Sequence, residues 1–100
     1  MIRSYVYLCA KAGGRQDLLD ELGRLEILTA IRDQPGFLGA ELQLPFDDEN
    51  HVLLSTAWAS REHYERWLIG RAREDILRGV DGLVAEEPTI RLYHVSDAVQ

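Results

Sequence analysis

Within residues 61–72, REHYERWLIGRA, the chain sets an imidazole, a phenol and an indole, His63, Tyr64 and Trp67, within about one helical turn of each other. Aromatic side chains at that spacing can wall a flat apolar slot. An imidazole beside them can move a proton near neutral pH, and the guanidinium of Arg71, one turn on, can hold an anion. At about 100° per residue, Tyr64, Trp67, Leu68 and Arg71 fall within roughly a third of the helix circumference and form one inward stripe. His63 stands about 40° from Trp67 at the edge of that stripe, turned either to a pocket mouth or to solvent. The plainer reading is a helix seated on a sheet, because Trp67 and Trp58 are the kind of large aromatics that carry much of the buried area in a small domain.

Other chemistries find less support. His51, His63 and His94 are far apart, lack the local spacings of zinc or iron sites, and have only Cys9 to help, so no metal site is expected. Gly13-Gly14 precedes a helical pattern without the lysine of a P-loop or a G-x-G-x-x-G run, which argues against a nucleotide cofactor. No serine sits in a nucleophile-elbow context. Tyr5 and Tyr7 share a strand face with Cys9, and that face is either a pocket floor or a dimer seam.

The elements that must position these groups can be read from periodicity. Residues 2–10 read as an inner strand, with Ile2, Val6 and Leu8 on one side and Tyr5, Tyr7 and Cys9 on the other. Over 15–33 the set Leu18, Leu22, Leu25, Leu28 and Ile31 predicts one long amphipathic helix, stopped by Gln34-Pro35-Gly36. Residues 37–46 alternate as a strand with Leu38, Ala40, Leu42, Leu44 and Phe46 on one side. A polar turn over 47–50 leads into a second strand at 51–59, its antiparallel partner. Ser60 suits a helix cap, Glu62 favours the first turn, and Gly70 divides the helical run after Ser60 into two pieces. A last strand spans 89–95, and the tail 96–100 is expected to be loose.

The order is β-α-β-β-α-β, the ferredoxin-like α+β arrangement: a four-stranded antiparallel sheet with helices on one face. At 100 residues the chain is expected to be a single domain with its core in 2–95. The other sheet face is left bare and apolar, which predicts a homodimer closed through the sheet faces with two-fold symmetry. Hydrophobic residues make up 46% and charged residues 28%, as in an ordinary packed domain. The formal charge of −6, with Lys11 and ten dispersed arginines, argues against a nucleic-acid partner. The unpaired Cys9, the lack of a signal-peptide pattern and the lack of a long apolar run make the cytoplasm the expected location, with no membrane attachment.

The pieces PGFLGAELQ, HVLLSTAWASREHYERWL and PTIRLYHV resemble the antibiotic biosynthesis monooxygenase domain. That family has a Pro-Gly-Phe turn before the second strand, a Trp-x-Ser type junction from the third strand into the helix, and a short final strand. The resemblance spans residues 2–95 and implies a dimeric α+β barrel with a pocket in each subunit between sheet and helices. It implies a monooxygenase that oxidises a polycyclic phenol or quinol without metal or flavin, or alternatively a haem-binding or haem-degrading protein, or a non-catalytic dimer that binds a small ligand. Trp67 matches a tryptophan of the haem-degrading branch. Val6 or a neighbour stands where that branch has an asparagine, and Leu77 or a neighbour stands at its haem-ligating histidine.

Oxygenation without a cofactor requires an apolar slot, a base or hydrogen-bond partner near the phenol, and exclusion of water. The candidate catalytic residues are His63, Trp67 and Arg71. Tyr5, Tyr7, Trp58, Tyr64 and Leu68 are the candidate contacts for a small aromatic substrate.

Overall fold

The computed structural model describes residues 1–99. Its elements are β1 (Ile2–Cys9), α1 (Arg15–Arg24), α2 (Ile27–Arg32), β2 (Phe37–Gln43), β3 (His51–Trp58), α3 (Arg61–Leu68), α4 (Arg71–Val80), a 3₁₀ turn (Asp81–Leu83) and β4 (Thr89–His94). The strands form one antiparallel sheet in the order β2-β3-β1-β4. This is the expected ferredoxin-like α+β fold, with the helices on one face.

Alternation along the strands sorts side chains between the two faces. Leu8, Val52, Leu54 and Trp58 point to the helices and are buried with Leu18, Leu22, Ile27 and Ile31 of α1 and α2. Tyr64 and Trp67 of α3 and Ile76 and Val80 of α4 complete that core. On the opposite face Tyr5 meets Tyr93 edge-on at 5.5 Å, and Tyr7 is 42% exposed beside them.

Three local departures from the periodic reading have physical causes. The helix expected over 15–33 breaks at Glu26, which takes a left-handed conformation with φ 53° while its N–H donates to the Gly23 carbonyl. A continuous helix would turn Leu28 inward; the break instead buries Ile27 and Ile31, one turn apart, and leaves Leu28 42% exposed. Burying Ile27, which the continuous helix would turn outward, gains about 1.5–3 kcal/mol, against about 1–2 kcal/mol for one left-handed residue.

In β2 the register slips between Phe37 and Gly39, so Phe37 takes the core position opposite Trp58 and Leu38 is thrown outward, 57% exposed. A bulge inserts one residue and so reverses the side of everything before it. The strand ends at Gln43, two residues before Pro45, a residue with no N–H to extend the ladder, and Leu44 and Phe46 stand in solvent.

The turn after β2 is closed by Asp48, whose carboxylate accepts the N–H groups of Asn50 (2.7 Å) and His51 (3.1 Å). Those bonds, chiefly the one from Asn50, hold the Asp48 carboxyl below the usual carboxylate range. Downstream, the Ser60 Oγ accepts the His63 N–H at the start of α3. Gly70, in an extended conformation, separates α3 from α4. Ala85 then donates to the Cys9 carbonyl at 2.8 Å and Val84 bridges Ala10, which docks the chain against the end of β1 before it returns as β4.

Among the described residues no helix is long and apolar enough to cross a membrane.

Candidate functional site

A cavity of about 260 Å³ lies between helix α4 and the sheet near β4. Val6 and Leu8 of β1, Leu54 of β3 and Ile90 of β4 form its floor, and Ile76, Leu77 and Val80 of α4 its roof. Leu22 and Ile27 close the inner end, Trp67 makes a side wall, and Pro88 and Glu87 stand at the mouth. The charged side chains in the lining are Arg73, half-buried, and Glu87, exposed. Arg73 Nη1 donates to the Leu68 carbonyl at 3.4 Å, which turns the guanidinium back over the end of α3.

Trp67 is held from behind. Its ring stacks on Trp58 at 6.1 Å and 28°, and Trp58 is met edge-on by Phe37 at 5.7 Å and by Tyr64 at 6.2 Å. The Trp58 Nε1 donates to Thr56 Oγ1 at 2.8 Å, satisfying the one polar atom of a fully buried indole. Such a packed aromatic cluster fixes the orientation of the wall it supports.

The residues singled out in the sequence therefore separate into five places. Trp67 lines the cavity. Trp58, Tyr64 and Leu68 pack in or against the core behind it. His63 is half-buried outside the cavity, its Nδ1 2.7 Å from Ser60 Oγ and its ring lying over Gly36, where a Cβ would collide with it. Arg71 is exposed at the start of α4. The single stripe drawn through Tyr64, Trp67 and Arg71 assumes an unbroken helix; the extended Gly70 resets the rotation, so Arg73 is the arginine that reaches the cavity. Tyr5 and Tyr7 lie on the far side of the sheet, at a shallow surface shared with Leu53 and Tyr93.

Sequence reading missed the floor and the roof as site residues. Val6, Leu8 and Leu54 carry only the signal of inward strand positions, which core and cavity share. Arg73 and Glu87 look like ordinary surface charges until the fold brings α4 and the segment before β4 together.

The family profile described as antibiotic biosynthesis monooxygenase matches residues 1–76. The chain belongs to the antibiotic biosynthesis monooxygenase family. Solved structures agree on the fold. A candidate antibiotic biosynthesis monooxygenase from Deinococcus radiodurans is 21% identical with a TM-score of 0.85, the match covering 100% of this chain and 97% of that one. Rv0793 from Mycobacterium tuberculosis is 14% identical with a TM-score of 0.84, covering 99% and 98%. SnoaB from Streptomyces nogalater, a cofactor-independent oxygenase solved in a mutant form, is 15% identical with a TM-score of 0.80, covering 98% and 95%. No curated protein gives a significant match.

As a member of the antibiotic biosynthesis monooxygenase family, the chain departs from the haem-degrading branch at the cavity itself. Val6 and Leu77 both line it, and its lining includes no histidine, cysteine, methionine or tyrosine to ligate a haem iron. The residues present do not fit that group.

Proposed function

We propose that the chain is a monooxygenase that acts without a cofactor on a compact polycyclic phenol or quinol bound between sheet and helices. The observation that carries this reading is the apolar cavity walled by Trp67, with Arg73 and Glu87 as its charged groups. Its volume of about 260 Å³ falls just below the roughly 300–1,000 Å³ usual for ligand sites, which favours a small fused-ring substrate over an extended one.

In this reading the ring system slides along Trp67 over Val6 and Leu54. Glu87 takes the phenolic proton at the mouth, and Arg73 stabilises the resulting anion. The phenolate charge extends to a ring CH carbon ortho or para to the oxygen; the anion gives one electron to dioxygen, the radical and superoxide combine at that carbon, and the peroxide takes up the proton held by Glu87. The O–O bond then breaks as that carbon loses its hydrogen, so one oxygen atom stays as a quinone carbonyl and the other leaves as water with the phenolic hydrogen and the hydrogen of that carbon. The apolar walls keep bulk water from the reactive anion. Trp58, Tyr64 and Leu68 contribute by holding Trp67, and His63 by fixing the start of α3 against the Gly36 turn. Arg71 remains outside.

The bare sheet face, with Tyr5, Tyr7 and Tyr93, supports a homodimer closed through the two sheets. A lone unpaired Cys9 is consistent with a reducing, cytoplasmic setting.

Oxygen uptake with two- and three-ring phenols and quinols tests the assignment. One dioxygen is expected per quinone formed, with activity falling at least about tenfold in Trp67→Phe while the fold is retained. Folded protein that consumes no oxygen with any of these compounds would overturn it; quenching of Trp67 fluorescence by the same compounds without uptake would leave a ligand-binding protein instead.

A further inference from the structure

On the opposite side of the sheet from the cavity, Cys9, His51 and Glu86 each present a ligand atom within 4.8 Å of the others. We infer that these three side chains form a binding site for a thiophilic divalent cation, with zinc the best match. The expectation of no metal rested on local spacing along the chain. The fold supplies the spacing instead: Cys9 and His51 are directly paired at the end of the β1–β3 ladder. Glu86 is delivered beside them because its neighbour Ala85 donates to the Cys9 carbonyl at 2.8 Å and Val84 bridges Ala10.

The donor set identifies the cation class. A thiolate, an imidazole and a carboxylate suit zinc and similar borderline metals, whereas magnesium and calcium prefer oxygen alone. Zinc bonds of about 2.0–2.3 Å need donors roughly 3.5 Å apart, so the three donors, now within 4.8 Å of one another, draw closer on binding. Three protein ligands leave a fourth position for water, and the charges of thiolate and carboxylate balance the dication.

His51 is already oriented for this role. Its Nδ1 lies 2.6 Å from Asp48 Oδ2, a contact that fixes the ring and leaves Nε2 as the nitrogen to ligate a metal. Asp48 is itself fixed by the Asn50 and His51 N–H groups. A carboxylate-to-histidine contact of this kind holds both tautomer and ring direction.

Bound metal would tie together β1, β3 and the segment that carries Glu87 and Pro88, two residues of the cavity mouth. The site thus clamps the segment leading to the cavity mouth from the far side of the sheet and takes no part in the oxygenation itself.

Titration with Zn²⁺ alone and with Co²⁺ as a spectroscopic substitute tests this in the full chain. The expected results are saturation at one metal per chain, and for cobalt a sulfur-to-metal charge-transfer band with intense tetrahedral absorption in the visible. Cys9→Ser should abolish the charge-transfer band, Glu86→Gln should weaken binding at least about tenfold, and Asp48→Asn about 10- to 100-fold. Glu86 is exposed and makes no core contact, so its variant keeps the test clear of folding defects. Absence of saturable binding, or binding unchanged by both Cys9→Ser and Glu86→Gln, would overturn the assignment.

Discussion

Trp67 was visible in the sequence because an aromatic on the inward stripe of a helix has few places to go. Arg73 was not, since its role depends on the rotation reset at Gly70. The two arginines of this segment therefore separate cleanly by experiment. Arg73→Gln should weaken binding of a phenolate ligand by about 10- to 100-fold, the range for losing a hydrogen bond to a charged group. Arg71→Gln should leave it unchanged, and fluorescence titration of the two variants measures both. A further residue-level outcome concerns Glu62 at the start of α3. Its carboxyl lies below the usual range, first through the hydrogen bond from its own backbone N–H and then through Ser60. A carboxyl lowered by folding adds stability above its unfolded pKa and loses it as pH falls through the folded value. Glu62→Gln should therefore reduce stability near neutrality and converge with the parent chain at low pH, as urea midpoints across the acid range would record.

At the scale of elements, the turn before β2 does more than end a helix. Gly36 has φ 77° and lies directly under the His63 ring, so it joins the α2–β2 connection to the start of α3. Gly36→Ala should cost about 1–2 kcal/mol from backbone conformation alone, and more from the collision with His63. In a His63→Gly background the collision disappears, since the His63 Cβ is itself among the atoms met, and only the conformational part should remain; a double-mutant cycle by urea denaturation reads the difference. The Pro-Gly pair announced a turn in the sequence, but the coupling to His63 became legible only when two segments distant along the chain met. The break at Glu26 was illegible for a related reason. Its local sequence favours a continuing helix, and the burial that outweighs this preference comes from the sheet. Strands were read well where alternation was strict, as in β1 and β3, and misjudged in β2, where a bulge reverses the pattern for the residues before it.

For the molecule as a whole, the order of elements was sufficient to give the sheet topology, because short connections between alternating strands and helices leave few arrangements. The cavity was beyond reach in this way, since inward strand positions look the same whether they meet a helix or a void. The family match ends at residue 76, within α4, so Leu77, Val80, Glu87, Pro88 and Ile90 of the cavity lining lie beyond it. The bare face carries its own expectation. Replacing Tyr7 and Tyr93 by Glu places four negative charges in a two-fold seam that the sheet-to-sheet dimer would bury. Sedimentation should then find a monomer with unchanged far-UV circular dichroism, while a parent chain that is already monomeric at micromolar concentration would defeat the dimer assignment.

Strand β1 serves three surfaces at once: Val6 and Leu8 floor the cavity, Tyr5 and Tyr7 face the other way, and Cys9 closes the end beside His51. Because neighbouring positions serve opposite sides, a single-residue deletion in β1 would exchange a dry aliphatic floor for tyrosines and carry Cys9 out of line with His51. Changes in chain length should accordingly be borne by the exposed residues of the turn over 47–50 and forbidden to the eight residues of β1.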